Sequence, residues 1–205
     1  MAIQGIDVSR FQGTVDWKKV NSAGKIFGFA KATQGINYKD PMFATNWGAM
    51  ADAGMIRGAY HFYSAASPAV AQAQNFINAI GSFDAGDLPP VLDLEDRAGM
   101  VQNQVQVAKL RQGAHDWIDT VQNALGLTPI IYTDPSFWKQ YMSDEFGEYP
   151  LWIANYNVAQ PIVPSTWDSY AFWQYSQTGR VPGVAGNVDL NVFNGTQDDL
   201  EALTS

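Results

Sequence analysis

Apolar segments with the two-residue period of strands alternate with segments of helical period as far as residue 142. The predicted strands cover residues 2–8, 26–32, 55–63, 91–95 and 127–133. The predicted helices cover residues 15–22, 41–53, 68–80, 101–125 and 135–142. Asp40, Ser67 and Asp134, each followed by proline, are expected to cap the second, third and fifth helices. Five strand–helix units with short connections are typical of a parallel α/β sheet.

The pattern changes in the last third of the chain. Strand-like segments recur at 149–155, 170–176 and 187–193, but Pro, Gly and Thr fill the gaps instead of helical periodicity. Eight strands can close a barrel, so the sequence predicts a TIM-like (β/α)5β3 barrel of the α/β class. Residues 177–186 are too few for a parallel crossover, so the last strand is expected to run antiparallel. The tail after Asn194 has only slight helical character.

The segment Leu88-Pro-Pro-Val-Leu-Asp-Leu-Glu-Asp96 carries the clearest chemical signal. Alternation along a strand places Asp93 and Glu95 on one face, with α-carbons roughly 6–7 Å apart. Neighbouring carboxylates push each other's pKa values apart, which suits acid/base catalysis. The alternative is a strand that runs into a solvated acidic loop.

Two further carboxylates are expected at the same rim of the barrel. Asp7 ends the first predicted strand, where the sites of such barrels lie. Asp189, near the start of the last strand, reaches that rim only if this strand is reversed. Each has a simpler interpretation as a turn or cap residue, Asp7 before Ser9 and Asp189 after Gly186-Asn187. Because Asp7 and Asp189 are expected at the same rim as Asp93 and Glu95, the sequence favours one cleft that is lined by four acids.

Composition excludes several classes of function. The net charge of −8 over 205 residues argues against nucleic acid as a partner. The chain has no Cys, and no apolar run approaches the length of a membrane span. His61 and His115 lack partners at ligand spacing, so no zinc site is expected. A hard cation held by the four acids is conceivable, but no cofactor is expected. No Gly-rich phosphate loop or Gly-x-Ser-x-Gly motif is present. The first residues enter a strand-like pattern at once, so no signal peptide is expected in this chain.

Seven short motifs resemble the family 25 glycoside hydrolases, the Chalaropsis-type lysozymes that include many phage endolysins. The motifs are Gly5-Ile-Asp-Val-Ser9 with Gln12-Gly13, Lys31-Ala-Thr33, Gly58-Ala-Tyr-His-Phe62, Leu92-Asp-Leu-Glu-Asp96, Trp152-Ile-Ala-Asn-Tyr156, Trp173-Gln-Tyr-Ser176 and Val188-Asp-Leu-Asn-Val-Phe193. The resemblance runs in order from Gly5 to Phe193, and it departs from the family at Tyr63-Ser64, where a small or basic residue is frequent.

The resemblance implies a (β/α)5β3 barrel that cleaves the β-1,4 bond after N-acetylmuramic acid in peptidoglycan. No cell-wall-binding repeat follows the barrel, so residues 1–205 are expected to form a single catalytic domain. The expected partner is the glycan strand of the bacterial cell wall. The protein is expected to act as a monomer outside the producing cell, after secretion or release at lysis.

The same resemblance implies that Glu95 is the general acid. Asp93 then has two possible roles. It could orient the substrate's 2-acetamido group for attack on the anomeric carbon, or it, Asp7 or Asp189 could activate water for inversion, which needs roughly 6.5–9.5 Å between carboxyl groups. The first role is favoured because two acids at i and i+2 leave little room for water and sugar between them. Asp7 and Asp189 are expected to support these two residues.

Several strand residues are candidates for contacts to the substrate. Aromatic side chains on barrel strands more often pack in the core, but the resemblance implies sugar stacking for Tyr60, Trp152 and Tyr156 and leaves Tyr132 and Trp173 open to either the cleft or the core. Gln174 neighbours Trp173 and points the other way, so only one of the two is expected in the cleft. Lys31, which ends the second strand motif, could pair with the acids or remain solvated.

Two other functions are compatible with the residues. A non-catalytic glycan-binding barrel would keep the cleft without cutting, although the presence of Glu95 argues against it. A chitinase-like enzyme would act on polymers of N-acetylglucosamine instead of peptidoglycan. The stereochemical outcome is not decided by the sequence.

Overall fold

The computed structural model of the chain describes residues 2–95 and 104–204. The strands are Ile3–Val8 (β1), Lys25–Gln34 (β2), Tyr38–Lys39 (β3), Ile56–Phe62 (β4), Val91–Asp93 (β5), Ile130–Thr133 (β6), Leu151–Ala154 (β7), Phe172–Gly179 (β8) and Val188–Phe193 (β9). The helices are Trp17–Ser22 (α1), Phe43–Asp52 (α2), Ala69–Ile80 (α3), Gln104–Leu125 (α4), Pro135–Tyr141 (α5) and Gln197–Ala202 (α6). Short 3-10 turns cover Arg10–Gln12 and Asp144–Phe146. Asp96 and the predicted start of the fourth helix at residue 101 lie outside the described residues.

Eight strands close into a barrel in the order β1-β9-β8-β7-β6-β5-β4-β2, and β1 pairs with β2 to complete the ring. Apart from β9, neighbouring strands of the ring run parallel, as in the pairs β1–β2 and β7–β8. Only β9 is reversed within the ring, because it pairs antiparallel with both β8 and β1. The predicted (β/α)5β3 barrel with an antiparallel last strand is therefore confirmed.

The short strand β3 was not predicted. It pairs antiparallel with the end of β2 through Thr33↔Lys39 and Gln34↔Tyr38, and so forms a small hairpin outside the ring. None of the helices in the described parts of the chain is both long enough and apolar enough to cross a membrane.

The structure confirms one of the three predicted helix caps. Asp134 caps α5 as predicted, because its carboxylate accepts hydrogen bonds from the N–H groups of Ser136 and Phe137. Asp40 instead accepts from the N–H groups of Met42 and Arg10, so it joins the turn before α2 to the segment after β1. Ser67 is also not a cap, because α3 begins after Pro68 without a side-chain cap.

Large aromatic side chains fill the inside of the barrel below the rim where the parallel strands end. Phe27, Phe29, Trp152 and Phe172 are all buried in one cluster, and the rings of Phe29 and Trp152 stack 4.3 Å apart. Glycine makes room for them: a Cβ added at Gly58 would lie 2.4 Å from the ring of Phe29. This aromatic plug fills the interior of the barrel at the end opposite the rim where the parallel strands end.

A second core lies between the barrel and its helices. His61 points outward from β4 into this layer, where its ring stacks on Trp117 of α4. Its two ring nitrogens lie 2.7 Å from Thr33 Oγ1 and 3.2 Å from Gln72 Oε1. Burial lowers the pKa of His61 to about 3, so it is neutral at physiological pH. His61 is therefore a packing residue of the outer core.

Candidate active site

A cavity of about 70 Å³ opens at the rim where the parallel strands end. We call it the acid cavity, because four carboxylates lie in its wall together with aromatic and amide side chains. Its lining residues are Asp7, Tyr60, Asp93, Glu95, Tyr132, Trp152, Tyr156, Gln174, Gln177 and Asp189. The volume corresponds to a few water molecules at roughly 30 Å³ each, so it can hold a small substituent but not a sugar ring.

The end of β5 directs two of these acids into the acid cavity. Asp93 is the last residue of β5, lies in register between Phe62 of β4 and Tyr132 of β6, and is 4% exposed. The N–H of Leu94 donates to the carbonyl oxygen of Tyr132, which carries the strand alternation beyond β5. Leu94 consequently packs outward in the outer core, while Glu95 returns to the cavity side and is only partly buried.

Asp7 is held firmly by two side-chain amides. Its Oδ2 atom accepts hydrogen bonds of 2.7 Å from the side-chain amides of both Gln174 and Asn191. Asn191 is itself fixed, because its Oδ1 accepts a 2.8 Å hydrogen bond from the indole N–H of Trp152. Since β8 and β9 supply these two amides, Asp7 is held by strands from the far end of the chain.

Gln174 connects this acid to two tyrosines. Tyr132 donates a 2.9 Å hydrogen bond to Gln174 Oε1, and Tyr156 donates to the same oxygen. With its amide nitrogen already on Asp7, Gln174 makes contacts at both ends of its side chain. Gln174 thus builds the wall of the acid cavity more than it offers a free group to a ligand.

Asp189 reaches the same cavity because β9 is reversed. It stands directly opposite Asp7 in the antiparallel β1–β9 pair, and the two carboxyl groups are hydrogen bonded. Burial raises the pKa of Asp7 above its ordinary value, although the hydrogen bonds from Asn191 and Gln174 act to lower it. The negative charge of Glu95 adds to the increase. The structure therefore brings together all four acids that the sequence singled out.

The tyrosines of the acid cavity are hydroxyl donors at physiological pH. Burial, and after it the charges of Asp7 and Asp93, raises the pKa of Tyr60 well above its ordinary value. Burial likewise raises the pKa of Tyr132 and Tyr156. These side chains can donate hydrogen bonds beside the carboxylates without adding negative charge.

Three of the aromatic and basic candidates contribute little or nothing to the lining of the acid cavity. Trp152 lines the acid cavity but is 2% exposed and belongs mainly to the aromatic plug. Trp173 alternates outward from β8, where its indole N–H donates to the carbonyl oxygen of Asn155, and it does not line the cavity. Lys31 is also absent from the lining; its ammonium donates to Gln34 Oε1 and lies 4.5 Å from the ring of Phe62.

Sequence analysis missed two residues of the site, Asn191 and Gln177. Asn191 follows Asp189 by two positions on β9, so the strand period that brings Asp189 to the interior also predicts Asn191 there. Gln177 lies beyond an irregularity in the β8–β9 pairing, and irregular pairing breaks the simple alternation of faces. Only the first of these two was accessible to pattern analysis.

A larger depression, the outer pocket, adjoins the acid cavity and has a volume of about 490 Å³. Glu95, Tyr132 and Tyr156 line both, while the other three acids line only the acid cavity. Asp134 and the segment 154–157 complete the outer pocket, whose size falls within the usual range for ligand sites of roughly 300–1,000 Å³. Glu95 therefore stands at the boundary between a narrow acidic cavity and a pocket large enough for a sugar.

Within the described parts of the chain, no group of three or more His, Cys, Asp or Glu residues is arranged to hold a metal ion. The lining of the acid cavity supplies carboxyl, amide and phenol groups. Such a set can transfer protons and can orient a polar substituent of a ligand.

Comparisons with known proteins agree with this geometry. The sequence model of the glycosyl hydrolases family 25 matches residues 6–184. Lysozyme M1 of Streptomyces globisporus is 40% identical over 99% of this chain and 71% of that protein. The N,O-diacetylmuramidase of Chalaropsis sp is 32% identical over 99% of both chains. The crystal structure of the bacterial lysozyme from Streptomyces coelicolor has a TM-score of 0.94 and 39% identity, and covers 100% of this chain and 97% of that one.

Proposed function

The chain belongs to the glycosyl hydrolases family 25 and is therefore a glycoside hydrolase, and on this premise we propose that it cleaves peptidoglycan. The bond is the β-1,4 linkage from N-acetylmuramic acid to N-acetylglucosamine. Relatives that carry the names lysozyme and N,O-diacetylmuramidase support this substrate. The proposed place of action is the bacterial cell wall outside the producing cell, reached by secretion or at lysis. The protein works as a monomer and without a cofactor.

The position of Glu95 is the observation that carries the proposal. It lines both the acid cavity and the outer pocket, so a bond that joins two sugars can pass directly beside its carboxyl group. As the general acid, Glu95 gives its proton to the oxygen of the leaving sugar while the bond from the anomeric carbon to that oxygen breaks. The leaving N-acetylglucosamine lies in the outer pocket, and the muramic acid residue sits over the acid cavity.

The small volume of the acid cavity suggests what enters it. A space of about 70 Å³ suits the 2-acetamido group of the muramic acid residue. Asp93 accepts the hydrogen bond of the acetamido N–H, and the acetamido oxygen then attacks the anomeric carbon as the leaving group departs. Water, activated by the carboxylate of Glu95, opens the resulting oxazoline-type ring, so the configuration is retained.

Asp7, Asp189 and the tyrosines support these steps. The fixed pair of Asp7 and Asp189 closes the cavity beside Asp93, and the hydroxyl of Tyr60 can donate to the acetamido oxygen and so orient it towards the anomeric carbon. Inversion through a water held between two acids is the competing mechanism. It needs a wider separation of carboxyl groups than two residues at i and i+2 readily provide.

The decisive experiment compares the wild type with Glu95→Gln and the control Glu148→Gln, an exposed residue outside both pockets. We expect Glu95→Gln to clear suspensions of cell walls about 10²- to 10⁴-fold more slowly, because a general acid contributes a factor of that order. Glu148→Gln should clear them at the wild-type rate. Equal rates for the wild type and Glu95→Gln would remove Glu95 from the mechanism.

The identity of the new reducing ends separates the possible activities. Borohydride reduction of the products should convert muramic acid, and not glucosamine, into its alditol. Reducing ends of N-acetylglucosamine, or faster release of ends from chitin than from peptidoglycan, would favour a chitinase-like enzyme. Binding of cell walls without any new reducing end would favour a glycan-binding barrel.

A further inference from the structure

A third depression continues the line from the acid cavity through the outer pocket. This distal groove has a volume of about 570 Å³ and shares Pro135, Ser136 and Ile162 with the outer pocket. Trp138 and Met142 of the α5 region form an apolar part of its lining. Each depression therefore adjoins the next, and their lining changes from acidic in the acid cavity to mainly apolar in the distal groove.

The walls of the distal groove are fixed by hydrogen bonds. The indole N–H of Trp138 donates to Thr166 Oγ1 at 2.8 Å, and that hydroxyl donates in turn to Asp144 Oδ1 at 2.9 Å. These two hydrogen bonds connect α5 to the long segment between β7 and β8. The groove is therefore a preformed feature of the fold, which lowers the entropic cost of binding a ligand there.

Charge is distributed unevenly around this groove. Among the described residues that line it, Lys139 is the single basic side chain, and it is exposed on α5. The carboxylate of Asp144 is engaged by Thr166 on the opposite wall. In a protein of net charge −8, this arrangement offers an anionic ligand one attractive position beside an apolar floor.

We propose that the distal groove binds the peptide branch of peptidoglycan on the leaving-group side of the cleaved bond. The inference rests on the proposed function, which places N-acetylglucosamine in the outer pocket. Because the two sugars alternate along the strand, the next residue is a muramic acid, and its lactyl group carries a short peptide with small apolar side chains and free carboxylates. The apolar floor suits the side chains of this peptide, and Lys139 pairs with one of its carboxylates.

Binding to the inactive Glu95→Gln variant tests this inference independently of catalysis. Calorimetry measures Kd for peptide-bearing glycan strands and for the same strands after an amidase has removed their peptides. We expect the peptide-bearing strands to bind more tightly. Adding Lys139→Glu should reduce that ratio of affinities about two- to five-fold, the range of a solvent-exposed ion pair.

Two further variants distinguish a local site from general electrostatics. Lys18→Glu makes the same change of charge on exposed α1, outside the distal groove, and should keep the ratio of the Glu95→Gln parent. Ser165→Trp, which fills the groove from its exposed edge, should reduce the ratio further than Lys139→Glu. Equal affinity for the two kinds of strand, or an equal effect of Lys18→Glu and Lys139→Glu, would overturn the inference. Failure of the wild type to cut either strand would instead contradict the proposed function.

Discussion

Asp7 and Asp189 stand opposite each other on the antiparallel strands β1 and β9, and their carboxyl groups are hydrogen bonded. A hydrogen bond between two carboxyl groups requires a proton on one of them. Burial raises the pKa of Asp7, whereas the hydrogen bond with Asp189 acts to lower it. Holding two carboxyl groups this close together costs electrostatic free energy. The fold tolerates this cost at the site that we propose for catalysis.

Replacing Asp7 by Asn should stabilise the protein and impair its activity. The amide keeps an oxygen that can accept from Gln174 and Asn191, and its N–H can donate to Asp189. Because the pKa of Asp7 is raised on folding, its ionised form opposes folding at pH 7, and the neutral amide removes that cost. We expect a gain of about 1 kcal/mol in the free energy of unfolding, measured with urea.

The control for this variant is Asp52→Asn, which changes an exposed carboxylate on α2. It should leave both the stability and the rate of wall clearing close to those of the wild type. A lower stability of Asp7→Asn than of Asp52→Asn would show that the buried carboxylate contributes to folding instead of opposing it.

The proposed role of Asp93 predicts a retained product. NMR of the first product from the wild type should show the β-anomer before mutarotation. Asp93→Asn keeps an oxygen that can accept from the acetamido N–H, but it removes the negative charge that stabilises the positive charge developing on the attacking acetamido group. We therefore expect kcat to fall by about 10²- to 10³-fold, as when one group that stabilises the transition state is lost. Initial release of the α-anomer would indicate inversion and contradict assistance by the acetamido group.

His61 predicts a loss of stability in acid. Its pKa is about 3 in the folded protein, because burial disfavours the charged ring, against an ordinary value of 6.5. The unfolded chain therefore binds more protons between these values, so the contribution of His61 is present above pH 6.5 and decreases as the pH falls towards 3. At pH 5 the loss is about 2 kcal/mol.

Urea unfolding at pH 5 and pH 7 measures this effect. His61→Gln should be less stable than the wild type at pH 7, since it disturbs the stack on Trp117, yet its stability should fall less between the two pH values. An equal fall in the variant and the wild type would assign the acid sensitivity to other groups.

Gly58 should not tolerate a methyl group. The Cβ of alanine would lie 2.4 Å from the ring of Phe29, which stacks on Trp152 beneath the acid cavity. We expect Gly58→Ala to lower the free energy of unfolding by about 1–3 kcal/mol through overpacking. Gly48→Ala is the matched control, because its Cβ meets no atom within 4 Å on helix α2 and should stabilise the protein by up to about 1 kcal/mol. Thermal unfolding of the two variants measures whether Gly58→Ala destabilises and Gly48→Ala stabilises the protein.

The order of strands and helices could be predicted from the sequence because apolar residues recur with different periods in strands and in helices. The short loop before β9 was equally informative, since its length alone implied the reversed strand that brings Asp189 beside Asp7. Strand alternation also placed Asp93 and Glu95 on one face. These properties depend on residues that lie close together in the chain.

The features that the sequence did not reveal depend on distant partners. The hydrogen bond from Asn191 to Asp7 joins residues 184 positions apart, and the one from Gln174 spans 167 positions. The role of Asp40 was misassigned for the same reason, because half of its hydrogen bonding goes to Arg10 on another segment. Local periodicity carries no information about which remote side chain completes such a group.

The closure of the barrel through β1 and β9 has a consequence for the life of the enzyme. Asp7 leaves the ribosome long before the amide of Asn191 and the carboxyl group of Asp189, which come from the last strand of the barrel. A chain interrupted between them contains the Asp93–Glu95 strand but lacks the wall that holds Asp7 in place. The wall of the acid cavity is therefore completed in one step, when β9 pairs with β1.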